Sequence, residues 1–226
     1  MSLPPNRVFC KICDVREFAT AELCANFGAD YIGLHCISEI KTDRLFDFQK
    51  IVKELPTRYP QLGIVLVTRR REIDAVTQMV KVIQPSHVQL HAPWSRKDIL
   101  NLRAELVFRG YSHIQLIGVV GLHKEGLEQV KERSSVVDLL ILDRTLYTET
   151  LPLGFTLDPS QYKEAMSWVG DTPVFIAGGL SPENLKQYIE ILNPYGVDVQ
   201  TGVEYPSRRG VKDPGRLAAF LRALKS

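Results

Sequence analysis

Two side chains suited to proton transfer close apolar stretches of the chain. Cys13 follows the run Val8-Phe9-Cys10-Lys11-Ile12, and Asp143 follows Val136-Val137-Asp138-Leu139-Leu140-Ile141-Leu142. A carboxyl group that ends such a run is partly desolvated. Desolvation favours its neutral form, so Asp143 is a candidate general acid. A thiol at the same kind of position is a base or nucleophile when its pKa is lowered, and a small buried apolar group otherwise. Cys10 and Cys13 form a CxxC, but positions i and i+3 of a strand point to opposite faces. That argues against a shared metal or a disulfide. Lys11 shares a face with Cys13; inside a protein it needs a carboxylate, and Asp198 is the expected partner. His35 and His91 end two further apolar runs. With Cys13 and Cys36 they offer metal-ligand chemistry, but no HxH or HExxH spacing supports it, so no metal is expected.

The second set of residues is built for an anion. Pro173-Val174-Phe175-Ile176-Ala177 reads as a buried strand, and Gly178-Gly179 as a turn in which the backbone comes close to a ligand or takes positive φ. Ser181 is the expected N-cap and Pro182 the first residue of the following helix. Free N–H groups at a glycine turn and helix start suit phosphate. Gln200-Thr201-Gly202-Val203 repeats the theme after the next strand, and Gly154 offers a third contribution.

These residues need strands to carry them. Apolar runs predict strands over 7–12, 30–36, 62–67, 87–91, 113–120, 136–142, 173–177 and 197–199. Helical spacing and caps predict helices over 16–27, 43–55, 72–83, 96–108, 124–131, 158–169, 182–192 and 213–224. Eight strand–helix units in 226 residues predict a single (β/α)8 barrel spanning 1–226. A doubly wound open sheet uses fewer units. In such a barrel the functional residues stand at the C-terminal ends of strands, and phosphate sits on the loops after the seventh and eighth.

Composition narrows the partners. A net charge of +2 gives no electrostatic reason to expect nucleic acid or an anionic membrane. No apolar run is long enough to span a bilayer and no signal-type apolar core follows Met1, so a cytoplasmic protein is expected. The four cysteines all fall before residue 37, which argues against a disulfide framework.

Taken together, the motifs resemble those of the phosphoribosylanthranilate isomerase family. Lys11-Ile12-Cys13 is similar to the family's Lys-Ile-Cys-Gly, and Gly28-Ala29-Asp30-Tyr31-Ile32-Gly33 to its Gly-Ala-Asp-x-Ile-Gly. Val88-Gln89-Leu90-His91, Leu142-Asp143, Ala177-Gly178-Gly179-Leu180-Ser181-Pro182-Glu183-Asn184, Val197-Asp198-Val199-Gln200-Thr201-Gly202-Val203-Glu204 and Gly210-Val211-Lys212-Asp213 follow in the family's order. The resemblance implies a cofactor-free Amadori rearrangement of a phosphorylated sugar adduct in tryptophan biosynthesis, by a monomer or homodimer. It implies Cys13 as general base and Asp143 as general acid. Lys11, Arg44 and His91 are expected to contact substrate, with phosphate on Gly178, Gly179, Gly202, Val203 and Gly154. The chain departs from the pattern at Asp14 and Ala92, where the family has glycine, and at Thr68, where it has asparagine. The family's Ser-x-Arg segment and its Gly-Gly-Thr-Gly loop are not kept. Two alternatives stay open: an isomerase, epimerase or lyase for another phosphorylated sugar, and a non-catalytic phosphometabolite-binding protein.

Overall fold

A parallel strand with helices on one side and a closed interior on the other must be apolar on both faces. Gly-Ile-Val-Leu-Val-Thr, residues 63–68, is buried at every position. In the computed structural model, which describes residues 7–36, 42–122, 126–144 and 158–224, eight such strands close into a barrel. They are β1 (Phe9–Ile12), β2 (Tyr31–His35), β3 (Gly63–Thr68), β4 (His87–Leu90), β5 (Gln115–Gly121), β6 (Leu139–Asp143), β7 (Val174–Ala177) and β8 (Gly196–Val199). All pairings are parallel and sequential, and β8 returns to β1. The expected barrel is the observed one.

The helices form the outer layer: α1 (Phe18–Phe27), α2 (Thr42–Arg58), α3 (Ile73–Ile83), α4 (Arg96–Phe108), α5 (Leu127–Ser134), α6 (Pro159–Ser167), α7 (Leu185–Leu192) and α8 (Pro214–Ala223). Caps set several starts. Ser95 Oγ accepts from the Asp98 N–H at 3.2 Å, and Asp213 Oδ1 accepts from Gly215 and Arg216 at 2.7 and 3.1 Å. Two boundaries differ from expectation. Helix α2 runs past Pro56 to Arg58, because a proline in the last turn breaks only one backbone bond before the helix ends. Helix α7 begins at Leu185, not Pro182. Asn184 turns back, accepting from the Ser181 N–H at 2.8 Å and donating to the Gly179 carbonyl at 2.9 Å. That local turn displaces the expected Ser181 cap.

Side-chain alternation divides the core in two. Cys10, Ile12, Ile32, Leu34 and their counterparts fill the layer between sheet and helices. Cys13, Val65, Val67, Ile117, Val119, Leu139, Ile141, Phe175 and Ala177 fill the barrel. Cys10 and Cys13 therefore fall in different cores, as the strand period requires.

Beyond β8 the chain makes a 3-10 turn (Thr201–Val203) and a short antiparallel hairpin, β9 (Glu204–Tyr205) with β10 (Arg208–Lys212). The sequence reading missed this hairpin, whose two strands are too short to show a period.

Candidate active site

The chemistry-bearing residues gather where barrel strands end. A cavity of about 360 Å³ opens there, lined by Cys13 and Asp143 together with His91, Gly178 and Gly179. Asp143 is the last residue of β6, paired in register with Ala177 of β7, so its carboxyl is aimed by two adjacent strands. Cys13 follows β1 and is 6% exposed, at the boundary between the packed interior and the cavity.

Beneath Cys13 lies the expected ion pair. Lys11 Nζ donates to both oxygens of Asp198, at 2.9 and 3.0 Å, across the seam between β1 and β8. Burial disfavours the Lys11 ammonium, but Asp198 outweighs it and holds the lysine charged. Lys11 is 1% exposed and lies under the cavity rather than on its wall. Arg44 also differs from its expected place: it stands in the first turn of α2 near Cys36 and does not line the cavity.

The Cys13 thiol is pushed up to about 11, chiefly by burial; the Lys11 charge pulls against this. Sequence reading anticipated a lowered pKa as the condition for reactivity, and burial opposes that. Asp14, the residue after Cys13, is not an isolated charge. Arg16 grips it with two hydrogen bonds, Nε to Oδ1 at 3.1 Å and Nη2 to Oδ2 at 2.6 Å. Burial works to raise the Asp14 pKa, and Arg16 and His35 more than offset it, so the carboxylate stays ionised. Its backbone holds φ at 55°, in the left-handed region that glycine adopts most readily.

Both histidines are neutral groups. Burial takes His35 down to about 4 and His91 to about 3, the latter helped by Arg69 and His35. His35 Nε2 lies 3.2 Å from Cys13 Sγ, a contact that sequence reading did not foresee because its partners come from different strands. Gln89 was also missed as a wall residue. It is buried, lines the cavity, and its Oε1 has no hydrogen-bond partner among the described residues.

On the opposite side, Gly178 and Gly179 take φ of 92° and 87°, as the turn requires. Gly202 is not on the cavity wall, and its role is close approach: a Cβ there would fall 1.9 Å from the Leu180 carbonyl oxygen. Gly202 thus locks the β8 loop against the β7 loop. Val203 is fully buried behind it. Because α7 starts late, the anion reading rests on the turn's own N–H groups, not on that helix terminus. Gly154 lies outside the described residues. Arg16, Arg69 and Arg209 bring positive charge to the cavity. Arg209 sits on the hairpin, which is held by a buried ion pair, Lys212 to Glu204 at 3.0 Å. Among the described residues no cluster of three or more His, Cys, Asp or Glu could hold a metal ion.

A sequence profile described as "PRAI: N-(5'phosphoribosyl)anthranilate (PRA) isomerase" matches residues 10–223. The chain belongs to this isomerase family. It is 32% identical over 221 residues to the "N-(5'-phosphoribosyl)anthranilate isomerase 2" of Methanosarcina mazei, covering 96% of this chain and 93% of that relative. Its fold is shared with a phosphoribosyl anthranilate isomerase from Thermus thermophilus, at 22% identity and TM-score 0.75 over 96% of this chain and 98% of that one. A solved isomerase in complex with reduced 1-(o-carboxyphenylamino)-1-deoxyribulose 5-phosphate has TM-score 0.72 and 24% identity, with 96% and 98% coverage.

Proposed function

We propose that this chain isomerises N-(5-phosphoribosyl)anthranilate by an Amadori rearrangement, without a cofactor, as an enzyme of tryptophan biosynthesis. The observation that carries the reading is that Cys13, after β1, and Asp143, ending β6, line one cavity, with the Gly178-Gly179 turn of β7 on the arc of the ring between them. Asp143 protonates the furanose ring oxygen as the C1–O bond breaks, leaving an open-chain iminium. Cys13 then accepts the proton from C2, and the enolamine tautomerises to the ketose. Both steps are proton transfers, which is why a positioned acid and base suffice.

Phosphate sits on the turn N–H groups of the β7 and β8 loops, with Arg209 supplying charge. The anthranilate carboxylate takes a different cation from the one the family pattern provides. Arg69 follows β3, across the ring from β7, and lines the cavity where Arg44 does not. Gln89 Oε1, otherwise unpartnered, accepts from a sugar hydroxyl.

The placement of Arg44 favours a second reading, a phosphorylated sugar bearing another head group. Loss of the adduct's anthranilate fluorescence on adding enzyme separates the two. Turnover, abolished by Cys13→Ser or Asp143→Asn with substrate binding retained, supports the first. No turnover at high enzyme concentration rejects it.

A further inference from the structure

Cys13 is not alone at the end of β1. His35, the last residue of β2, brings Nε2 to 3.2 Å from its sulfur. Behind the ring, His35 Nδ1 lies 3.6 Å from Asp14 Oδ1. Asp14 is in turn fixed by Arg16, and Gln200 Nε2 reaches its second oxygen at 3.5 Å. Sulfur, imidazole and carboxylate thus form a connected set on the cavity wall, which all three residues line. The set is held at a backbone cost, since Asp14 keeps a left-handed φ where glycine is the ordinary residue. Unlike glycine, the aspartate ties down Arg16, and it also sets a carboxylate beside His35.

We propose that His35, backed by Asp14, is the proton acceptor that lets Cys13 act as a base. This rests on the isomerisation proposed above. As the Cys13 sulfur takes the C2 proton of the iminium, its own S–H proton passes to His35 Nε2. One C–H and one S–H bond break, and one S–H and one N–H bond form. The positive charge moves from the iminium to the imidazolium, beside the Asp14 carboxylate. No oxidant or metal is required, and the sulfur never has to carry a full charge in its buried site.

The resting pair suits this. Burial keeps the thiol protonated and the imidazole neutral, so S–H donates to an unoccupied nitrogen. The other charged groups that act on the pair are Lys11 on β1, Asp198 on β8 and Lys212 on β10; His91 and Arg16 stand nearby. Lys11 is paired with Asp198, Lys212 with Glu204 and Asp14 with Arg16; of these charges Asp14 acts most strongly on His35, its Oδ1 lying 3.6 Å from Nδ1.

The test is the pH profile of Cys13 alkylation by iodoacetamide in the intact protein, with Cys13→Ser giving the background of Cys10, Cys24 and Cys36. Alkylation releases the same proton, so the wild-type rate should show a shoulder, flat between the titration of His35 and that of the thiol. His35→Gln keeps a polar group near the sulfur but cannot take the proton. Its shoulder should vanish, leaving a rate that rises about tenfold per pH unit, as expected for free thiolate. Asp14→Asn and Asp14→Gly should both lower the shoulder, although glycine relieves the backbone. Superimposable profiles for wild type and His35→Gln overturn the proposal, as does a wild-type profile without a shoulder. A shoulder in a wild-type protein that does not turn over the anthranilate adduct keeps the relay and removes the reaction assignment instead. For an active enzyme, His35→Gln should lower kcat by roughly 100-fold with KM little changed.

Discussion

Cys13, His35 and His91 are all more deeply buried than their ionised forms tolerate, and this has a measurable consequence for the folded state. His35 and His91 are taken from an ordinary 6.5 down to about 4 and about 3. Between pH 6.5 and those values the unfolded chain binds protons that the native protein excludes. Stability therefore rises with pH across this window, is fully present above 6.5, and is lost as pH falls through it, by on the order of a few kcal/mol. Thermal melts at pH 7.5 and pH 5 should show a lower Tm at pH 5, and His35→Gln should narrow the gap; an unchanged Tm contradicts the burial argument. A second prediction concerns the head group. Arg69→Ala should raise KM by roughly tenfold or more, the worth of one charge-assisted hydrogen bond, with kcat less affected. Steady-state kinetics of Arg69→Ala and Arg44→Ala compare the two arginines, and the larger KM effect at Arg44 would reverse the assignment. Lys11 and Asp198 were legible as partners because strand alternation puts Lys11 on the face of Cys13, and a lysine on the interior face of a barrel needs a carboxylate from a neighbouring strand. His35, Arg69 and Arg209 were not recognised in these roles, since what each side chain meets is set by neighbouring strands and loops.

At the scale of the elements, the β7 and β8 loops act as one piece. Gly202 is the joint, because any Cβ there strikes the Leu180 carbonyl. Gly202→Ala should force the loops apart, costing at least about 1–3 kcal/mol and weakening inorganic phosphate binding together with stability. Urea melts and phosphate titration of this variant check both, and wild-type values would show that the joint is soft. Asp213 caps α8 through two backbone bonds, so Asp213→Ala should cost about 1 kcal/mol without altering turnover. Strand order and helix count were readable because each unit has a long apolar period. The start of α7 was not: Ser181 and Asn184 are both good capping residues, and the choice falls to a hydrogen bond back to Gly179. The hairpin after β8 escaped for a different reason. Its strands are two and five residues long, and what holds them is a buried Lys212–Glu204 pair that neither strand's own pattern announces.

At the scale of the whole molecule, the barrel closes where its first and last strands meet, and the Lys11–Asp198 pair lies on that seam. Removing one partner leaves an uncompensated charge at the centre of the fold. Asp198→Ala should cost about 3–5 kcal/mol, and replacing both residues by apolar ones should recover much of it. Denaturant melts of the single and double variants measure this; equal losses would mean that the pair contributes by packing alone. The same closure places residues of β2, β4, β6, β7 and β8, with Cys13 just past β1, round a single cavity. The family resemblance gave the sequence reading its reaction, and the seam gave it the geometry, but the head-group wall needed the fold. The central claim is that this cavity performs an isomerisation with Cys13 and Asp143 as its proton-transfer pair. The direct measurement is the decay of N-(5-phosphoribosyl)anthranilate fluorescence with wild type, Cys13→Ser and Asp143→Asn. The expected result is turnover by wild type, slowed about 100- to 10,000-fold in each variant while binding persists. A wild-type protein that binds the adduct and leaves its fluorescence unchanged, or variants as fast as wild type, would contradict the account.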